Sequence, residues 1–300
     1  MTATGSGRAA ATRLARLLGG RLASVTRLGE QHGAGHYRVG LADGRQAFAK
    51  VNNPDQDGNE ASSGAAAAGF AAEAAGLRWL ADSGAVPVPE VIACDDDCLV
   101  IDWIEAGEAS PAAAAAFGRE LARLHGAGAD HFGASWPGVI ASLPLPNEES
   151  DSWPDWYARG RLLPYVRIAA DRGALSPADV RLIESAAARC GELAGPDEPP
   201  SRIHGDCWSG NVLWSHGRGW LIDPAAHGGH RETDLAMLAL FGAPHLHRIV
   251  AAYAEVAPLA DGWPARVPLH QLHPLLVHAC LFGRSYGADA VDAARAVLAA

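Results

Sequence analysis

The sequence predicts an α+β fold in two lobes, a small β-rich N-terminal lobe over residues 1–104 and a larger, mostly helical lobe over 105–300. Three observations carry this. Short alternating apolar stretches bounded by turn residues fall in the first hundred positions, and helical spacing dominates afterwards. Between them lies Gly107 to Pro111, in which Ser110 is a helix N-cap and Pro111 a first helical residue. Apolar residues make up 49% of the chain and charged residues 19%, a globular balance that leaves a cleft between lobes as the natural place for a site.

The elements follow in order. Leu14, Leu17 and Leu18 recur at helical spacing, while Arg8, Arg13, Arg16 and Arg21 interrupt any apolar run. The segment therefore reads as an amphipathic helix and not as a secretory signal. Residues 24–28, 37–41 and 46–51 are strands, the last two joined by a turn at Ala42-Asp43-Gly44. Residues 52–69 are polar, then Gly/Ala-rich, and read as a mobile loop. Residues 70–83 form a helix carrying Glu73, Leu77 and Leu80. Pro87 and Pro89 break the chain, and 98–104 is a buried strand. Beyond the boundary, 112–125, 176–194, 234–241, 245–255 and 269–286 read as helices, and 203–223 as a short β region dense in polar groups. Residues 136–156, rich in Pro and Trp, read as an ordered irregular loop.

Basic residues number 24 and acidic residues 34, a formal net charge of −10. That excludes a general nucleic-acid or membrane-surface binder, which needs a basic footprint. Five cysteines are an odd, sparse set that fits reduced thiols in the cytoplasm. Cys94 and Cys98 flank a turn at Asp95-Asp96-Asp97, with no second pair to complete a zinc site. Residues 267–283 are uncharged but hold three His and two Pro, which is not a membrane span. Nothing sets an oligomeric state.

The chemistry concentrates in His204-Gly205-Asp206-Cys207-Trp208-Ser209-Gly210-Asn211, with Asp223-Pro224 twelve residues after the Asn. An Asp, an Asn five residues on, and an Asp beyond a hairpin form a phosphotransferase pattern. Asp206 accepts a hydroxyl proton, and Asn211 and Asp223 offer hard oxygens to Mg²⁺. A polar hairpin with Asx turns explains any one of these residues, but not all three at these spacings.

Of the 24 basic residues only Lys50 is a lysine. Coding bias toward Arg accounts for the rest; the one retained Lys is either chance or the mark of a place where a compact ammonium is needed. Lys50 ends a strand, where a phosphate-contacting Lys belongs, and Glu73 on the next helix is its ion-pair partner. Gly29 to Tyr37 holds Gly33 and Gly35, which let backbone amides approach a phosphate. It is not a clean G-x-G-x-x-G, and it reads equally as an ordinary glycine turn. His227/His230, His245/His247 and His270/His273/His278 are possible ligands, but no H-E-x-x-H is present.

At these residues the chain resembles the fructosamine kinase (ketosamine 3-kinase) family. The likeness runs over nearly the whole length. Its most specific part is His204 to Asn211, Leu221 to Ala225 and Gly229 to Met237, similar to the family's HGDLWSGN…DPA…GHREADLAM, with Cys207 in place of Leu. Phe48 to Asn52 is similar to FVKVN, and Trp153-Pro154-Asp155-Trp156 also matches. The resemblance implies a protein-kinase-like fold, ATP with Mg²⁺, and phosphorylation of O3 of a small-molecule or protein-bound ketosamine, whose unstable product frees the amine. The N-terminal lobe would bind nucleotide and the C-terminal lobe would carry catalysis and substrate. Asp102, Trp103 and Ile104 would receive adenine. Asp234 would brace the catalytic loop, with His204 in support. Trp153, Trp156, Trp208, His230, Arg231 and Glu232 would face substrate. Two departures stand out: His32 occupies a place where some members carry Cys, so a redox switch there is absent, and 52–69 is long. The rival readings are a kinase for an aminoglycoside or choline-like amine, and a non-catalytic nucleotide-binding regulator.

Overall fold

The computed structural model describes residues 5–31, 33–52 and 60–300. Its N-terminal part runs α1 (Gly5–Leu17), β1 (Leu22–Gln31), β2 (Ala34–Leu41), β3 (Gln46–Asn52), α2 (Glu60–Asp82), β4 (Val91–Cys94) and β5 (Cys98–Asp102). The strands form one antiparallel sheet in the order β1-β2-β3-β5-β4. Strand alternation sorts β3 into two faces. Ala47, Ala49 and Val51 pack with Leu14 of α1 and Leu18 just after it, while Phe48 lies against the cluster of Phe70, Ala74 and Leu77 from α2. Lys50 shares the Phe48 face and is thereby aimed at α2.

Helix α2 corrects the sequence reading. It begins at Glu60, so most of the expected loop over 52–69 is helical, and 53–59 lies outside the described residues. The alanines of the Gly/Ala-rich run that reads as a mobile loop are strong helix formers. The strands flanking the glycine segment are longer than expected: β1 runs to Gln31 and β2 starts at Ala34, and His32 lies outside the described residues.

The helical part starts with α3 (Pro111–Gly126), capped by Ser110, whose side chain accepts from the Ala113 amide at 3.1 Å. The Pro/Trp-rich segment is more regular than expected. It forms a hairpin, β6 (Gly138–Ile140) and β7 (Leu143–Leu145), then α4 (Trp153–Trp156), a π-helical turn over Tyr157–Leu162, and α5 (Leu163–Asp171). Its Leu143, Leu145, Trp153 and Trp156 are core residues, and that burial orders it. The expected helix over 176–194 divides at Arg189 into α6 (Pro177–Ala188) and α7 (Cys190–Leu193).

Short strands β8 (Ser201–Ile203), β9 (Val212–Ser215), β10 (Arg218–Leu221) and β11 (His227–Gly229) carry the polar motifs. They pair as β9–β10 and β8–β11. Helices α8 (Glu232–Leu240), α9 (Leu246–Val256), α10 (Trp263–Phe282) and α11 (Arg284–Ala299) complete the lobe. The helix expected over 269–286 is two helices meeting at Gly283. Helix α10 tolerates Pro268 and Pro274 because Leu269, Leu272, Leu275 and Leu276 are buried around them. Among the described residues no helix is long and apolar enough to cross a membrane.

Candidate active site between the lobes

The catalytic-loop candidate runs from the end of β8 to the start of β9, and α8 holds it from behind. Asp234 on α8 accepts the His204 amide at 2.8 Å on Oδ2 and the Gly205 amide at 3.0 Å on Oδ1. Gly205 has φ 80°, and a Cβ there would lie 2.2 Å from the Ala225 carbonyl oxygen, so no other residue fits this turn. His204 sits 2.9 Å from the Ile222 carbonyl through Nε2 and receives the Asp206 amide on Nδ1 at 3.3 Å. That pattern fixes the neutral tautomer with the proton on Nε2, and burial likewise lowers the His204 pKa. Asp234 is itself held by His125 Nε2 at 3.1 Å, and His125 Nδ1 lies 2.8 Å from the Tyr253 hydroxyl. Sequence reading missed His125, whose partner is 109 positions away.

Asp206 faces the cleft. Asn211 donates its amide to Asp206 Oδ2 at 3.0 Å and to the Asp206 carbonyl at 2.9 Å, with the Asp223 carbonyl at 3.5 Å. All three neighbours are acceptors, so Nδ2 must point at them and Oδ1 away. Burial pushes Asp206 up to about 7, with Asp223 and Asp234 adding to the push and the Asn211 hydrogen bond opposing it.

Across the cleft, Lys50 Nζ lies 2.7 Å from Glu73 Oε2 and 2.6 Å from Asp223 Oδ1. Burial works against its ammonium, but the two carboxylates override it and hold the pKa above the ordinary lysine value. Burial pushes Glu73 up to about 8 despite Lys50. Asp223 is burdened by burial as well, yet Lys50 holds it below the usual carboxylate value. Asp223 has φ 52°, left-handed backbone in a non-glycine residue just after β10, and such strain collects at functional sites.

These groups border one cavity of about 870 Å³, lined by Gly33, Lys50, Glu73, Asp206, Trp208, Asn211 and Asp223 among others. Gly35 is not on its wall but buried against Tyr37. Asp102, Trp103 and Ile104 lie outside it, in the connector leading toward α3. The Asp102 amide donates to the Glu90 carbonyl at 3.0 Å and the Trp103 amide to the Gln46 carbonyl at 3.3 Å, with Arg38 over the Trp103 ring at 4.5 Å.

Five substrate candidates do not reach the cavity. Trp153 stacks on Tyr157 at 4.7 Å, and Trp156 packs under the Arg161 guanidinium at 4.1 Å and donates to the Glu148 carbonyl at 2.8 Å. Arg231 forks onto Glu198 at 2.6 and 2.7 Å, Glu232 is forked by Arg266 at 2.6 and 2.9 Å, and His230 is buried beside Trp153. Their polar groups are committed inside the helical lobe, the Glu232–Arg266 pair joining α8 to α10. Trp208 alone of the six faces the cavity. The walls that sequence reading did not assign come from Trp136 and Ile140 near the β6–β7 hairpin, Phe241, and His278, Phe282 and Tyr286.

The fructosamine kinase family description matches residues 24–300. The chain belongs to the fructosamine kinase family. It is 32% identical over 254 residues to a probable ketoamine kinase of Synechocystis sp., covering 82% of this chain and 81% of that one. A solved Thermobifida fusca structure named for fructosamine-3-kinase is 53% identical, with a TM-score of 0.89 and coverage of 97% of this chain and 98% of that one. An ADP-bound aminoglycoside phosphotransferase superposes with a TM-score of 0.62 at 14% identity, covering 95% and 96% of the two chains; this likeness concerns the fold alone. Membership of the fructosamine kinase family makes the chain a kinase with a protein-kinase-like fold, and ATP with Mg²⁺ is the expected pairing.

Proposed function

We propose that this chain transfers the γ-phosphoryl group of ATP to the 3-hydroxyl of a ketosamine, a ribulosamine or fructosamine, free or on a protein. The observation that carries the reading is Asp206, raised to about 7, facing the cleft and opposed by the Lys50–Glu73–Asp223 cluster. A base with a pKa near the working pH combines availability with driving force. The sugar hydroxyl approaches Asp206, which takes its proton as the oxygen bonds to phosphorus and the bond to ADP breaks. Asn211 fixes the Asp206 carboxylate through its amide. Lys50, oriented by Glu73, places a positive charge beside the phosphates.

The donor set fits Mg²⁺: Asn211 Oδ1 turns away from Asp206, and the Asp223 side chain is 39% exposed to the cleft. Asn211 and Asp223 would hold the ion, whose chemistry is to neutralise phosphate charge in transfer. The connector at Asp102–Ile104 would receive adenine, the 1–104 lobe holding nucleotide and the 105–300 lobe the acceptor. With the carbonyl at C2, a phosphate on C3 is a leaving group through the 1,2-enaminol, and hydrolysis then releases the amine. That outcome would make the enzyme a deglycating one.

The test is ATP consumption with Mg²⁺ on ribulosyl-lysine, fructosyl-lysine, an aminoglycoside and choline, with the phosphate located by NMR. Turnover of a ketosamine with phosphate on O3 supports the reading. Turnover of the aminoglycoside or choline alone would replace it, and nucleotide binding without any turnover would favour a regulator.

A further inference from the structure

Beyond Asp206 the cavity continues along a line of aromatic rings. Trp208 meets Phe241 at 6.0 Å between centroids, Phe241 meets His278 at 5.0 Å, and His278 meets Phe282 at 5.6 Å and Tyr286 at 4.9 Å. All five border the same cavity. His278 and Phe282 stand one helical turn apart on α10, and Tyr286 at the start of α11 meets both rings, at 4.9 and 5.9 Å. Trp208 is pinned beside Asp206: a Cβ on Gly210 would lie 2.2 Å from Trp208 Cη2, and only glycine lets the ring rest there.

Two features say what covers this wall. Phe282 is 62% exposed, Trp208 38% and Phe241 37%, apolar surface that burial under a ligand would stabilise. Among the described residues lining the cavity, Lys50 is the sole Lys or Arg and is already held by Glu73 and Asp223; of the other two acids, Glu30 is paired with Arg27 at 2.6 Å and Asp206 carries no ion pair. Burial lowers the pKa of both His273 and His278, so neither supplies a cation at neutral pH. A ligand carboxylate is offered no Lys or Arg here beyond Lys50. A secondary ammonium finds the Asp206 carboxylate and the Trp208 ring face together.

We propose that the wall from Trp208 to Tyr286 binds the amine-derived half of the acceptor, and that the preferred ketosamines are those whose amine carries an aromatic or extended apolar group. This rests on the ketosamine reading above. The sugar stands at Asp206, its ammonium lies between Asp206 and Trp208, and the apolar substituent covers Phe241 and Phe282.

Two synthetic acceptors test it, 1-benzylamino-1-deoxyfructose and 1-methylamino-1-deoxyfructose, which share the sugar and differ in the substituent. The benzyl compound is expected to show a kcat/KM roughly 10-fold higher, mostly through KM. Phe282→Ala should shrink that ratio roughly 3–10-fold, and Phe282→Trp should keep it. Because Phe282 is exposed, thermal unfolding should be unchanged in both variants. Equal kcat/KM for the two acceptors, or a ratio that neither Phe282→Ala nor Tyr286→Ala moves, overturns this inference while leaving a ketosamine kinase standing. Turnover of neither ketosamine, with another acceptor phosphorylated, removes the underlying reading and this inference with it.

Discussion

Asn211 grips Asp206 twice, at its carboxylate (3.0 Å) and at its carbonyl (2.9 Å), and so presents Oδ1 away from the base. In the proposed mechanism one side chain thereby orients the base and offers a metal ligand. Asn211→Ala should lower kcat at least roughly 10²-fold, the scale of a lost positioning or charge-stabilising group. The Mg²⁺ concentration for half-maximal rate should rise in the same variant. A titration of rate against Mg²⁺ at saturating ATP checks both.

The raised pKa of Asp206 ties activity to stability. Its folded pKa of about 7 lies above the unfolded carboxylate value, so the folded state holds the extra proton between the two. Stability from this group is complete below the unfolded pKa and is lost as pH rises through about 7. Asp206→Asn should therefore stabilise the protein at pH 8, by roughly 1–3 kcal/mol given partial exposure to the cleft. The gain in Tm should close as pH falls toward the unfolded value, and calorimetry across that range reads it.

The same group sets the acid limb of the rate. In the free enzyme kcat/KM should rise with pH around a midpoint near 7, where Asp206 loses its proton. A pH profile in which this limb survives in Asp206→Asn would assign the titration to another group.

Lys50 sits between carboxylates at 2.7 and 2.6 Å, a space that suits an ammonium and not a planar fork. Lys50→Arg should lose at least roughly 10²-fold in kcat/KM with folding intact. Steady-state kinetics beside a circular-dichroism melt separate the two effects.

Two tryptophans that look alike in sequence should behave differently. Trp153→Ala removes a core ring stacked on Tyr157 and should cost about 3–5 kcal/mol. Trp208→Ala removes a cleft ring, and should raise the acceptor KM with a much smaller change in Tm. Denaturant melts and acceptor titrations on both variants make the comparison.

This contrast shows what was legible in the chain. Asp206, Asn211, Asp223, Lys50 and Glu73 are singled out because the phosphotransfer chemistry proposed for them demands fixed residue types at fixed spacing, and the fold brings them to one cavity. The β-rich and helical halves could be read from periodicity. Trp153, Trp156, His230, Arg231 and Glu232 could not be placed, because residue type does not reveal whether an aromatic or charged group is committed to a core partner such as Tyr157, Glu198 or Arg266. Helix α2 began early because an Ala/Gly run resembles a linker until its helix propensity is weighed. His125 and the wall of His278, Phe282 and Tyr286 needed tertiary contacts to be seen, the first across 109 positions, the second across the break at Gly283.

The central claim, that Asp206 drives phosphoryl transfer to a ketosamine, is tested most directly by single-turnover transfer from ATP to ribulosyl-lysine. Wild-type enzyme and Asp206→Asn are compared with acceptor affinity measured in parallel. The account predicts a 3-phosphate from the wild type and a step slowed roughly 10²–10⁴-fold in the variant at similar affinity. An equal rate in the variant, or phosphate on another hydroxyl, would contradict it.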